Sequence, residues 1–285
     1  MKRVVLVTGL RMAKPDPETH RVLPLLATLG LRVEVLPWQA DVDWSAYDGV
    51  VVRTPWDYFE QREAFLAWAQ RVHAVTPVFN PPEVLVWNSH KGYLRELQRA
   101  GVPTVPTLWL QRGQEVPDLA GLGWTALVVK PAVSVGAIGA CRDRAEAEAL
   151  REHAVRLVAS DDVLVQPFVP EVVTQGEVSL VFLAGRFSHA VRKLPAAGDY
   201  RVQDMYGGRV QAWAPDAAAL ALAEQVLQHT PAPCLYARVD LVPHQGGWVL
   251  MELEVIEPEL FLGFGNGASA LATAIDEAVV KKQRL

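Results

Sequence analysis

The chain has 285 residues, 51% of them hydrophobic, enough to bury one large core or two or three modest ones side by side, and too many for a disordered chain. Lys plus Arg number 27 against 32 Asp plus Glu, and the formal net charge of −5 argues against the broad basic footprint of a nucleic-acid or anionic-membrane binder. The two cysteines, Cys141 and Cys234, lie far apart and outside any Cys/His spacing, which points to neither a zinc site nor a disulfide framework and fits a reducing cytoplasm.

In chain order, Val4 to Val7 reads as a buried strand, followed by a polar turn (Lys14, Pro15, Asp16) and a helical stretch from about His20 to Leu29 that Gly30 ends. Leu31 to Leu36 and Gly49 to Val52 are further strands, and Glu60 to Val72 has the spacing of an amphipathic helix. Alternation of this kind predicts a parallel sheet with helices on its faces. Asn88 or Ser89 can cap a helix running through Lys91 to Ala100, which Gly101 and Pro103 stop. Strands are expected at Val105 to Leu110, Ala126 to Lys130 and Val163 to Gln166, with a helix from Ala145 to Val158. The rest reads as strands at Glu177 to Leu183, Phe187 to Lys193, Leu235 to Val242 and Trp248 to Val255, with helices at Pro215 to His229 and from Ala268. Three pieces follow: 1–90, a small lid-sized 91–166, and 167–285. No apolar run approaches the ~20 residues that a membrane helix needs.

The chemistry concentrates in a hairpin, YARVDLVPHQGGWVLMELEVIEPE. Side chains alternate along a strand, so Arg238 and Asp240 share one face, as do Glu252 and Glu254. If His244 to Trp248 make the turn, Asp240 lies across from Glu252 and the three carboxylates converge. Like charges opposed in a sheet are destabilising unless a cation offsets them, and hard oxygen ligands suit magnesium. The plainer alternative is an amphipathic hairpin with a solvated acidic face.

Lys91 falls in the first turn of its expected helix, where the macrodipole disfavours a cation and an anionic ligand would compensate. Lys130 ends the apolar strand ALVVK beside the loop PAVSVGAIGA, whose Gly136 and Gly139 free the backbone to curl around phosphate oxygens while Ser134 adds a hydroxyl. A snorkelling lysine and an ordinary loop are the bland readings of the two. There is no G-x-x-x-x-G-K-[ST] loop, and Gly263, Gly265 and Gly267 do not sit between a strand and a helix of a βαβ unit. Metallopeptidase and nucleophile-elbow motifs are absent as well.

A helix-opening lysine, a strand-end lysine before a Gly-containing lid, the hinge Q-P-F-V, a late R-x-D and then E-x-E, in this order, resemble the ATP-grasp superfamily over about residues 88 to 265. Within it, QPFVPEVVTQGEVSLVFLAGR and GDYRVQDMYGGR resemble the glutathione synthetase group. RTPWDY, RKLPAAGDYRVQ and MELEVIEPELFL look like the cyclo-ligases that close a ureido-amino acid to cycloserine. The resemblance implies a mixed α/β and α+β chain: an N-terminal parallel α/β domain, a lid subdomain and a C-terminal antiparallel-sheet subdomain. It implies a ligase that activates a carboxylate as an acyl phosphate, with ATP and two Mg2+ ions that Mn2+ can replace, and passes it to a nitrogen nucleophile. It also implies small-molecule carboxylate and amine substrates, and it leaves a homodimer open.

Carried over position by position, the resemblance gives Lys91 and Lys130 to the nucleotide phosphates, and the loop with Ser134, Gly136 and Gly139 to the closing lid. Gln166, Phe168 and Val169 become the adenine hinge and Glu177 the ribose ligand. Asp240, Glu252 and Glu254 become the metal ligands, and Arg238 and Arg201 the catalytic arginines. Glu254 stands where asparagine is usual, adding a negative charge that Glu257 compounds. Arg53, Asp57 and Tyr58, at the carboxyl end of a strand of the open α/β sheet, are candidates for the substrate's carboxylate and amino groups. Two rivals remain: intramolecular ring closure on the same fold, and a nucleotide-binding regulatory protein without catalysis.

Overall fold

A computed structural model describes residues 1–10, 15–202 and 206–281. In chain order the elements are β1 (Lys2–Thr8), α1 (Pro17–Thr28), β2 (Leu31–Pro37), β3 (Gly49–Thr54), α2 (Arg62–His73), β4 (Val78–Phe79), α3 (Pro82–Asn88) and α4 (Tyr93–Arg99). Next come β5 (Leu108–Leu110), β6 (Ala126–Pro131), β7 (Cys141–Arg144), α5 (Glu148–Val158), β8 (Val163–Pro167), α6 (Glu171–Thr174), β9 (Glu177–Leu183) and β10 (Arg186–Leu194). The chain closes with β11 (Arg209–Ala212), α7 (Ala217–Leu227), β12 (Tyr236–His244), β13 (Gly247–Glu254) and α8 (Gly267–Lys281).

They build three sheets, in the orders β2-β1-β3-β4, β5-β8-β6-β7 and β11-β10-β9-β12-β13. The first is parallel and covered on both faces, so its strands are continuous apolar runs, Val4, Val5 and Val7 being fully buried. The other two are antiparallel. Leu150, Ala154 and Val158 of α5 cover one face of the second sheet together with Leu127, Val129 and Val165. Helix α8 brings the chain's end back onto the first sheet: Leu271, Ile275 and Val279 share one core with Val22 and Leu26 of α1, Val51 of β3, and Val181 and Leu183 of β9. Among the described residues no helix is long and apolar enough to cross a membrane.

Buried side chains tie the first sheet to the third. Asn80, fully buried, donates from Nδ2 to the carbonyls of Tyr236 (2.9 Å) and Val255 (2.7 Å) and accepts the Leu235 N–H at 2.6 Å. Asn88 and Tyr93 satisfy the outer edge of β13 at Leu253 and Val255, and Pro103 to Val105 pair with Leu250. An edge strand that bears function is thus closed to foreign pairing.

Several expectations change. In place of the single helix expected from Asn88 to Ala100, α3 ends at Asn88, a turn takes residues 89–92 and α4 begins at Tyr93. Lys91 lies in that turn, its N–H donated to Ala132 O (2.8 Å), so it is not in the first turn of a helix. Only Leu108–Leu110 of the strand expected from Val105 pairs in the second sheet, since the segment before Pro106 is taken up by the β13 edge. β7 occupies residues just before Ala145, so α5 begins at Glu148. Lys14 of the expected turn and Gln203 of the GDYRVQ segment lie outside the described residues.

Gly9 follows β1 where the Asp57 carboxylate packs down on the backbone: a Cβ there would stand 2.6 Å from Asp57 Cγ. Asp57 accepts the Leu10 N–H (3.0 Å) and the Trp38 indole N–H (3.3 Å). Gly9→Ala must push that carboxylate off both donors, so chemical denaturation should show a loss of about 1–3 kcal/mol. A loss under ~0.5 kcal/mol would mean that Asp57 can move at little cost.

Candidate functional site

The third sheet presents one charged face. In register, Glu177 pairs with Lys193, Ser179 with Asp240, Asp240 with Glu252 and Arg238 with Glu254. The Asp240 to Glu252 pairing matches the sequence reading, by a different route. The turn is only Gln245-Gly246, both at positive φ (50° and 81°), and one extra residue is absorbed between Asp240 and Leu241, where Leu241 pairs with Leu250. Without this bulge Met251 would oppose Asp240.

Asp240, 2% exposed, is saturated. Its Oδ1 accepts from Ser179 Oγ (2.6 Å) and Arg238 Nε (3.0 Å), and its Oδ2 from Lys193 Nζ (3.1 Å) and Arg238 Nη2 (2.9 Å). Burial pushes its carboxyl up, but Arg238 and Lys193 pull harder and hold it well below the usual range. Lys193 is also ion-paired with Glu177, whose carboxyl burial still raises. Glu252 pairs with Lys91 at 3.0 Å and is lowered, with Lys91 and then Lys130 overcoming burial. Glu254 is ion-paired with Arg238, yet burial, with Asp240 and Glu252 nearby, raises it to about 7.

Among the described residues no three His, Cys, Asp or Glu side chains are grouped closely enough to hold a metal ion. The expected convergence of Asp240, Glu252 and Glu254 is therefore incomplete, because arginine and lysine occupy Asp240. Glu252 and Glu254, half-buried and each paired with one cation where Asp240 is paired with two, are the donors that fit a hard divalent cation, and magnesium commonly takes one or two carboxylates plus phosphates.

Two lysines border this face. Lys91, 7% exposed, reaches Glu252 and donates to Ser134 O at 3.0 Å, joining the lid loop to the sheet. Lys130 makes no hydrogen bond or ion pair among the described residues, and burial lowers it although Glu252 opposes the shift. In the loop, Gly136 and Gly139 both take positive φ (58° and 77°). At the hinge, Gln166 donates to Thr107 Oγ1 (2.9 Å) and the Phe168 N–H to Ala126 O (2.8 Å). That Phe168 amide is thus already engaged within the fold. The Arg142 guanidinium lies 3.6 Å above the Phe168 ring.

Other expected residues are engaged elsewhere. Arg53, 2% exposed, pairs with Glu18 at 3.0 Å and reaches Pro258 O, so it clamps the fold internally and is not an open carboxylate receptor. Asp57 has the partners given above and makes no capping bond to the turn of 3-10 helix that follows it. Tyr58 is buried, and burial raises its phenol, Glu257 being the largest charge effect on it. Arg201 pairs in two-pronged fashion with Asp199 (2.8 and 3.1 Å) and stacks on Tyr206 (3.6 Å), both on its own loop.

Sequence reasoning missed Lys193 and Ser179. For Ser179 the signal was there, since alternation from Glu177 puts it on the acidic face; Lys193 was masked as one of several basic residues in the strand RFSHAVRKL.

The family described as D-cycloserine synthetase DcsG, N-terminal domain, matches residues 4–80. The cycloserine biosynthesis protein DcsG of Streptomyces lavendulae is 33% identical over 96% of this chain and 98% of its own length. The chain belongs to the DcsG family. A crystal structure of D-cycloserine synthetase DcsG superposes with a TM-score of 0.86 at 31% identity, covering 97% of this chain and 99% of the other. The D-alanine–D-alanine ligase of Bacillus anthracis, also solved with ATP, shares the fold with a TM-score of 0.72 at 14% identity over 100% and 99% of the two chains. The DcsG-family chain described here has the ATP-grasp fold and is a carboxylate–amine ligase.

Proposed function

We propose that this ligase acts within one molecule, closing a ureido-amino acid to a cycloserine-like ring. The observation that carries the reading is the 33% identity to a cycloserine biosynthesis protein along almost the whole of both chains. RTPWDY and RKLPAAGDYRVQ, the segments that mark the cyclo-ligase resemblance, lie outside the hairpin common to the wider fold. The pieces 1–90, 91–166 and 167–285 serve as substrate side, lid and catalytic subdomain.

ATP lies between the second and third sheets. Lys130 and Lys91 hold its phosphates, the amides of residues 134–139 close over them, and the backbone around Val169 receives the base. Glu252 and Glu254, with Asp240 beside them, would hold magnesium, as two ions that manganese could replace. When bound, the metal offsets phosphate charge. A carboxylate oxygen of the substrate attacks the γ-phosphorus, the bond to ADP breaks, and an acyl phosphate forms. The substrate's nitrogen then attacks the acyl carbon, loses a proton and expels phosphate. Arg238, held by Asp240 and Glu254, steadies the transferring group. Such chemistry needs positioning and charge more than a protein nucleophile, which suits a site of lysines, arginines and carboxylates. The lid keeps water off the mixed anhydride. Two unpaired, half-buried cysteines fit a cytoplasmic setting.

Hydroxylamine added with Mg-ATP and a ureido-serine should divert the acyl phosphate to a hydroxamate, and without it the product should have the mass of the ring. EDTA should abolish ADP release. ADP released with no trappable acyl group would remove the acyl phosphate, and a product joined from two molecules would remove ring closure while keeping the ligase.

A further inference from the structure

The segment from Glu257 to Leu262 crosses from the end of β13 to the first sheet, and its backbone is tied from both sides. Trp56 Nε1 donates to Glu257 O (3.1 Å), Arg53 to Pro258 O (3.5 Å) and Arg238 Nη1 to Glu259 O (3.1 Å). The N–H groups of Leu260 and Leu262 donate to Glu18 at 2.9 and 2.8 Å. A carboxylate presented from so fixed a backbone is already oriented. Yet the Glu257 side chain makes no hydrogen bond and no ion pair among the described residues.

The charges around it sharpen the contrast. The other four carboxylates are all ion-paired, through three cations: Lys193 serves Glu177 and Asp240, Arg238 serves Asp240 and Glu254, and Lys91 serves Glu252. Burial, with Glu254 adding to it, pushes the Glu257 carboxyl far above the usual range, and the nearby Tyr58 supplies no positive charge. Trp56, 41% exposed, stands beside the segment with its indole held to the Glu257 carbonyl. A half-buried, unpaired carboxylate on a backbone held by an exposed tryptophan suits an organic ammonium, which gains a charge-assisted hydrogen bond there. Arg53 and Asp57, the other candidates for reading a substrate's polar groups, are satisfied within the protein.

We propose that Glu257 binds the ammonium group of the acid substrate, so that the site selects an α-amino acid and turns its carboxylate toward ATP. This rests on the ligase reading and adds a specificity-determining residue to it. Glu257 stands three residues past Glu254, on the side pinned to Trp56, which sets it apart from the carboxylates given to the metal.

Calorimetry on the full chain with Mg2+ and a non-hydrolysable ATP analogue tests the assignment. The probes are O-ureidoserine of each hand and 3-ureidooxypropionate, the same acid without the amino group. Wild type should bind one amino form at least about tenfold more tightly than the deamino acid, and Glu257→Gln should erase that preference. The affinity for the ATP analogue and the Mg2+ half-saturation should stay unchanged, which also reports an intact fold. A preference retained in Glu257→Gln overturns the proposal, as does a shift in Mg2+ half-saturation, which would make the residue a metal ligand. A wild type that binds both acids alike, or neither, overturns it too. Measured separately, ADP release with the deamino acid keeps the ligase while removing this role for Glu257.

Discussion

Lys130→Ala is expected to lower kcat/KM for ATP by about 10²–10³-fold while leaving the folded state as stable as before. The two halves of this expectation come from one fact: the ammonium is buried and forms no ion pair among the described residues, so its desolvation is not offset within the protein. Removing such a charge relieves a cost in the free enzyme and deletes a partner for phosphate in the complex. Lys91→Ala should behave differently, because Lys91 holds Glu252 and Ser134 O, and its loss leaves a buried carboxylate alone. Nucleotide affinity by calorimetry, ADP release and a urea titration of both variants separate the cases. Unchanged ATP affinity and turnover in Lys130→Ala would take that lysine out of the site.

Lys193→Met should reduce unfolding free energy by about 3–5 kcal/mol, the range for breaking a buried ion pair from one side. Methionine keeps most of the volume, so packing is not the main loss. What changes is charge: Glu177 loses its ion-pair partner, Asp240 loses one of two, and both carboxylates are buried in the sheet face. Adding Glu177→Gln to Lys193→Met should recover part of the loss, since it removes one uncompensated charge. Urea unfolding of the wild type, both single variants and the double variant measures the coupling. A loss below ~1 kcal/mol for Lys193→Met would show that the site admits enough water to screen the pair.

Much of this molecule could be read from residue order. The parallel first sheet follows from apolar runs separated by helical spacing, while the Asp240 to Glu252 pairing, expected from a longer turn, is delivered by a shorter turn and a bulge. What was not legible depended on distance in sequence. Arg53 looks like a free carboxylate clamp until α1 folds over and delivers Glu18. Lys91 looks helical because nothing local shows that its N–H will go to Ala132. Asp240 reads as a metal ligand from one strand alone. Only the neighbouring strands, which bring Ser179 and Lys193, show that its oxygens are already committed.

The bulge at Met251 uncouples the length of the hairpin tip from the position of the acidic side chains. A relative with a three-residue tip and no bulge would place the same carboxylates opposite one another, so tip length can vary by one without moving the chemistry. Deleting Met251 alone would take out the bulge and still leave Leu241 opposite Leu250 and Asp240 opposite Glu252, whereas adding a tip residue while keeping the bulge would have to break that pairing.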